Sequence, residues 1–494
     1  MKNKIDRREF IQLAAGGGAM CLASPGIFAL AANTRRSALV SPGCRRSKVK
    51  VARLYMGTSH GLWPKPNLDL ENEVRFYQSK FAGMKDELAD VDFVVDQLVT
   101  SPAQVAQLKD KLAQVDGILA IHFNIGIRSI LNQILQAGKP TVVFAVPYSG
   151  HGWTAFGSML NQPIGEKMDC MLTSDYKQLA AAIRPFRAIH HLREAKILNL
   201  STRNFQSYAQ SMKEKFGTEI KRIELRRVID AYKAVTDTDT KTLTEQWISH
   251  AEKVVEPSTA EVRNSCRLAL AMENLLDAED ATVMTVDCYG TMWDRTIKLP
   301  AYPCLGFTRL NDLGYGGVCE SDLRCAMTHI ILQGLSGRPG FISDPTVDES
   351  TNSIILAHCL GTTKMDGPNN PPDPYKLRTV MERREGVVPQ VRMQIGRKVT
   401  QALLVGDDTI IYFTGEIIAA PVSLADDRGC RTKITVKVDG DATTLWKNWS
   451  HGLHRQTIYE DVTEDLRRFC RFTEINLIDE AAQPPAPPDV PSPA

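Results

Sequence analysis

Between Val49 and Leu200, short apolar runs alternate with longer stretches whose apolar residues recur every three to four positions. Val49–Met56, Val91–Val95, Gly117–Phe123 and Thr141–Val146 have strand length, and 72–89, 102–114 and 128–137 have helical period. Strands that must be re-entered after a helix pair in parallel, so the pattern predicts a doubly wound parallel sheet of Rossmann or flavodoxin type. Ligands of such sheets sit at the carboxyl ends of the strands. His60, Trp63, His122 and the loop Pro147–Trp153 fall at three such ends. A second α/β block follows, with strands Asp169–Thr173, Lys196–Leu200 and Ala281–Asp287 and helices at 177–193, 240–254 and 258–277. His190 and His191 are neighbours on the first of these helices and diverge by about 100°, so they read as surface or capping residues rather than as a metal pair.

After residue 336 the period changes. Strands at 353–357, 390–396, 400–405, 409–418 and 431–438 follow without helices between them. In the last, Thr432, Ile434, Val436 and Val438 alternate with Lys433, Thr435 and Lys437, the mark of a half-buried antiparallel strand. A helix near 460–472 closes this β-rich unit. The division is therefore 49–165 and 166–336 for the two α/β domains, 337–478 for the β-rich domain and 479–494 for a proline-rich disordered tail.

The amino terminus belongs to none of these. Arg7-Arg8 precedes a mildly apolar, glycine- and alanine-rich run to Leu30, and Ala29-Leu-Ala-Ala32 offers small residues for cleavage. Residues 1–32 have the form of a twin-arginine signal, with 33–48 as a polar, basic linker, and imply export to the periplasm or beyond without a stable membrane anchor. Eleven cysteines are dispersed with no Cys-x-x-Cys pair, which argues against a zinc-finger framework and for mostly buried thiols. A formal net charge of +2, without a long basic block, gives no sign of a nucleic-acid surface.

The chemistry-bearing residues cluster late. The loop Gly314-Tyr-Gly-Gly317 leads to Glu320, expected in the first turn of an apolar helix on one face with Leu323, Met327 and Ile330. There the helix N-terminus favours the ionised carboxylate, and Asp322 reads as an acid that complements the dipole. Asp344 ends the run Gly-Phe-Ile-Ser, and His358 ends Ile-Ile-Leu-Ala. Carboxylates with imidazole suit Mn²⁺, Mg²⁺ or Fe²⁺ better than a thiolate-bound zinc. The aromatic loop Trp446–His454, with His451 and His454 three apart, can close such a site.

The pieces Pro303-Cys-Leu, Arg309-Leu-Asn-Asp-Leu-Gly, Val318-Cys-Glu-Ser-Asp322, Ser343-Asp-Pro, Ala357-His-Cys359, Cys430-Arg-Thr and His454-Arg-Gln-Thr-Ile-Tyr-Glu-Asp461 resemble the L-fucose isomerase and L-arabinose isomerase superfamily, most of all the L-fucose isomerase-like proteins. The interval 344 − 320 = 24 matches that family's two catalytic carboxylates. The resemblance implies aldose–ketose isomerisation of a sugar through a cis-enediol. Glu320 and Asp344 would serve as acid and base and bind Mn²⁺, His454 would be the third ligand, and His358 would be the extra histidine of the arabinose branch. His60, Trp63, His122 and Trp449 are then the expected substrate contacts, and a homo-oligomer, trimer or hexamer, the expected assembly. The chain departs from the pattern in having Leu453-His454 for a histidine pair and Glu460 for a glycine. A periplasmic sugar-binding protein fits the export signal and paired α/β domains, and a lyase or epimerase fits the same proton chemistry.

Overall fold

The structure, a computed structural model, describes residues 39–482 except 289, 291, 292, 294–296, 423 and 425–427. The expected twin-arginine segment, the start of the linker and most of the proline-rich tail lie outside the described residues. The chain is a mixed α/β structure with parallel sheets followed by a β-rich unit. The first sheet holds β1 (Val49–Met56), β2 (Val91–Val99), β3 (Gly117–His122), β4 (Thr141–Ala145) and β5 (Met168–Leu172) in the order β2-β1-β3-β4-β5, all parallel. β3 and β4 are buried at every position, which is why they read as unbroken apolar runs. β5, assigned by sequence to the second block, completes the first sheet, so the boundary near residue 165 falls too early.

The second parallel sheet has β6 (Lys196–Leu200) and β7 (Glu219–Arg222). The two-residue β8 (Lys253–Val254) leaves to pair elsewhere, and β9 (Val283–Val286) and β10 (Gly316–Val318) complete the order β10-β9-β6-β7. β10 corrects the expectation that Gly314–Gly317 is all loop. A Cβ on Gly317 would lie 2.5 Å from the Phe307 backbone, so the glycine lets helix Cys304–Asp312 press onto the strand within this unit.

The β-rich unit begins with β11 (Phe341–Asp348) and β12 (Ser353–His358), and β13 (Tyr375–Arg378) and β14 (Val388–Val391) form a small sheet with β8. β15 (Lys398–Val405), β16 (Thr409–Ala419), β17 (Thr432–Val438) and β18 (Arg455–Tyr459) follow. The order β15-β18-β11-β12-β17-β16 closes on itself because β16 pairs again with β15, giving a six-stranded barrel. β19 (Asn476–Asp479) adds beside β16, and Glu480 is buried on Arg455, so the disordered tail cannot start at 479. β17 buries every second residue, as its alternation predicts.

Helix Leu323–Ser336 joins the units. The one-faced stripe expected of it is wrong: twelve of its residues are buried, on all sides. Its buried polar groups are placed accordingly, with Thr328 Oγ1 accepting from Leu404 N–H at 2.8 Å and Gln333 Nε2 donating to Gly314 C=O at 3.2 Å. Gly334 faces Ala188 of helix Arg184–Glu194 so closely that a Cβ would lie 2.6 Å from Ala188 Cα. A second correction lies on that neighbouring helix. His190 and His191 are both buried, because residues 41–47 of the supposed linker fold over them. Ser41 Oγ lies 2.8 Å from His191 Nε2, and His190 Nδ1 lies 2.9 Å from Asp116 Oδ2. Glu460 holds φ at 114°, and its carboxylate pairs with Arg184 and Arg338.

His329 sits in the middle of helix Leu323–Ser336, where burial pushes its imidazole down to about 4. Its folded pKa lies below the unfolded one, so the unfolded chain binds more protons as pH falls through about 6.5, and the native state loses stability there. Between about pH 7 and about pH 5 the wild type should lose about 2 kcal/mol more than His329→Leu in denaturant titrations. Parallel pH profiles for the two proteins would contradict this.

Candidate metal centre

The barrel register builds most of the site. Ser343 of β11 pairs with Arg455 of β18, so the next residue along, Asp344, lies beside His454 just before the strand. On the other side Asp344 pairs with Ala357 of β12, which places His358 one step further at that strand's end. Asp344 is therefore within a strand that continues through Pro345 to Asp348, not at the turn its Asp-Pro sequence suggests. It stands where the β18 ladder stops and the β12 ladder begins, which opens the sheet around its carboxylate.

Glu320 arrives from the α/β side. It is not in a helix: helix Leu323–Ser336 starts after Asp322, whose carboxylate caps it by accepting from Cys325 N–H at 3.0 Å. Glu320 and Ser321 have φ of 62° and 56°, left-handed values that cost non-glycine residues about 1–3 kcal/mol each. Hydrogen bonds hold this bend: Arg203 Nη2 donates to Glu320 C=O at 2.9 Å, Ser321 N–H to Val286 C=O at 2.9 Å and Ser321 Oγ–H to Asn199 at 2.7 Å. The bend turns the Glu320 side chain toward the barrel, where Oε2 lies 3.7 Å from His454 Nε2.

The four predicted ligands converge. His454 Nε2 lies 3.2 Å from Asp344 Oδ1, and the His358 and His454 rings are 5.5 Å apart. Ligand atoms of Asp344, His358 and His454 lie within 4.8 Å of one another, as do those of Cys319, Glu320 and His358. Asp344 Oδ1, His358 Nδ1 and His454 Nε2 are buried without a hydrogen-bond partner of adequate geometry, although buried polar atoms are ordinarily satisfied. Such an inward-facing donor set, two carboxylates and two imidazoles, fits a divalent cation. His454 is also oriented as a metal ligand should be: its Nδ1 lies 3.2 Å from Asp322 Oδ2, leaving Nε2 for the cation. Sequence reasoning gave Asp322 only the dipole role, and nothing in its local pattern signals a partner 132 residues away.

The electrostatics combine burial, the largest influence on each group, with the charges that the cluster's members exert on one another. Burial, then the charges of Asp344 and Asp322, push Glu320 up to about 7 against the pull of His454 and Arg203. Burial works against a charged His454, but its bond to Asp322 and the carboxylates of Asp344 and Glu320 raise it to about 10. Burial keeps His358 neutral, down to about 4. Burial would raise Asp344, yet His454 and His358 hold it below the usual carboxylate range. One imidazolium proton thus neutralises part of the cluster.

Beside the cluster is an open cleft of about 440 Å³, lined by Arg203, Tyr208, Glu320, Asp322, Arg324 and His454. Arg203 and Arg324 are cationic groups that sequence reading did not single out. The other expected substrate contacts gather elsewhere. His122 Nδ1 lies 2.8 Å from Ser149 Oγ, Trp63 packs on His151 with rings 5.0 Å apart, and His60 lines a shallow cleft with Thr58 and Thr100. Among the described residues, no hydrogen bond, ion pair or ring contact links them to the four ligands. Trp449 supports the His454 loop, donating to Gly452 C=O and lying under the Arg455 guanidinium at 4.2 Å. His451 enters only through its carbonyl, which accepts from Arg324. Comparison of the chain with protein-family models and with curated proteins finds no match.

Asparagine caps a helix as well as aspartate does but cannot supply the charge that steadies His454. Asp322→Asn should bind Mn²⁺ about 10–100-fold more weakly in calorimetric titrations, with helix content by circular dichroism unchanged. Unchanged affinity would remove Asp322 from the site.

Proposed function

We propose that this chain is a divalent-metal-dependent sugar isomerase of the L-fucose isomerase-like type, interconverting an aldose and a ketose through a cis-enediol. The observation that carries the reading is the convergence of Glu320, Asp344, His358 and His454, with three of their ligand atoms buried and otherwise unpartnered. Those four residues would hold Mn²⁺, or Mg²⁺ or Fe²⁺ in its place. When bound, the cation supplies positive charge to vicinal sugar oxygens and eases ionisation of a hydroxyl. Glu320 and Asp344 approach from opposite sides, one from the strained bend and one from β11, and are the acid–base pair for a proton moving between neighbouring carbons. Asp322 keeps the His454 ring in place, and Arg203 and Arg324 stand at the cleft to meet sugar hydroxyls.

On this reading the two parallel sheets are doubly wound, flavodoxin-like domains, and the protein works after export as a trimer or hexamer. The group around His60, Trp63 and His122 would then complete the site of a neighbouring copy. A sugar-binding protein needs no carboxylate–imidazole cluster, which is why the isomerase is preferred.

Metal analysis of protein expressed with manganese should find a bound divalent ion that Glu320→Ala with Asp344→Ala abolishes. The loaded protein, given a panel of aldoses and ketoses in D₂O, should produce the partner sugar with exchange at C2 by proton NMR. Glu320→Gln and Asp344→Asn should each lower turnover by about 10²–10⁴-fold. An unsaturated product would reassign the site to elimination, and absence of metal would overturn the reading.

A further inference from the structure

His358 is followed by Cys359, and the two neighbours face different clusters. Cys359 Sγ lies 3.8 Å from Cys430 Sγ and 3.3 Å from Glu382 Oε2, and Cys430 Sγ lies 3.5 Å from Glu382 Oε1. All three supply a ligand atom within 4.8 Å of the others. Three separate elements bring them together. Cys359 follows the end of β12, Cys430 precedes β17, and the two flank the last rung of that ladder, His358 with Thr432. Glu382 sits in the turn after β13, closed by Arg384 N–H donating to Val380 C=O at 2.8 Å. Arg431 Nε donates to Thr379 C=O at 2.8 Å and fastens that turn beside Cys430.

The contacts are unusual for a carboxylate. Thiols are weak donors, yet among the described residues the two that donate to Glu382 are thiols. Two sulfurs and one oxygen at this spacing are instead a donor set for a borderline or soft dication of zinc type, unlike the oxygen–imidazole set next door. Access is open on one side: Cys359 is buried, Cys430 half-buried and Glu382 exposed. With three protein ligands a tetrahedral ion keeps one position for water.

We propose that Cys359, Cys430 and Glu382 form a second cation site, specific for a thiophilic divalent ion and distinct from the carboxylate–imidazole centre. Binding deprotonates two thiols and releases both protons to solvent, with no change of oxidation state. Because Cys359 follows His358 directly, an ion here fixes the end of β12 that carries a ligand of the first site.

The test uses the full chain, purified under reducing conditions and saturated with Mn²⁺, then titrated with Cd²⁺. One equivalent should bind with an ultraviolet sulfur-to-metal charge-transfer band. Cys359→Ser and Cys430→Ser should each abolish the band, and Glu382→Gln should weaken binding at least tenfold. Cys430 is partly exposed, so its variant tests the site without opening the core. Cys288→Ser controls for the neighbouring buried thiol pair Cys288 and Cys319, whose sulfurs are 3.0 Å apart, and should keep the band. Asp344→Ala should also keep it, so a failed first site and a failed second site give different results. A band that survives in the Cys359→Ser, Cys430→Ser double variant, no band in the wild type, or a Cys359–Cys430 disulfide in the purified protein would each overturn the proposal.

Discussion

Helix Leu323–Ser336 is the constraint on which the arrangement depends. It has no solvent face: the second parallel sheet, helix Arg184–Glu194 and strands β15 and β18 of the barrel all pack on it. A helix enclosed in this way cannot rotate or slide without opening the core on several sides at once. Its start is therefore fixed in space, and so is the bend that precedes it. Asp322 caps the helix and braces His454, and Glu320 stands two residues earlier in the same bend. Core packing thus sets the position of a carboxylate that reaches a barrel built from a distant part of the chain.

The barrel answers with register. Three adjacent strands, β18, β11 and β12, end or change partner at nearly the same level, and each delivers one ligand there. A slip of one residue would move Asp344 away from His454. Closure of the barrel through β15 and β16 leaves no free edge along which such a slip can begin. What results is an electrostatically incomplete cavity: negative groups outnumber positive ones, and the imidazolium of His454 stands where stronger positive charge is suited. The two left-handed residues at Glu320 and Ser321 show that local backbone preference is overridden to assemble it.

Much of this was legible from the residues, and the misses share a cause. Strands buried on both faces announced themselves as apolar runs, and β17 by its alternation. Glu320, Asp344 and His358 stood out because each follows a glycine-rich or apolar run, whereas His454 was set apart from its loop neighbour His451 only by the resemblance. What local pattern cannot carry is the partner across the fold. His190 and His191 looked like surface residues because the segment covering them lies more than a hundred positions away. Gly316–Val318 looked like a loop because its pairing with β9 leaves no trace in three residues. Glu320 looked helical because an apolar run followed closely, whereas the cap fell at Asp322. Glu382 had no motif at all, since its neighbours are cysteines 23 and 48 positions away.

Glu460 shows a different kind of exchange. Where a glycine would adopt φ of 114° freely, this side chain is held there by Arg184 from beside the first sheet and by Arg338 from the end of the buried helix. Arg184 also pairs with Asp465, and Arg338 lies near Asp366, so the strained residue is the hub of an ion network joining three parts of the chain. Charge thus holds a backbone angle that a side chain rarely adopts. Near physiological salt, screening acts over about 8 Å, so raising the ionic strength weakens the partly exposed pairs of this network first and leaves the strained backbone of Glu460 with less to hold it.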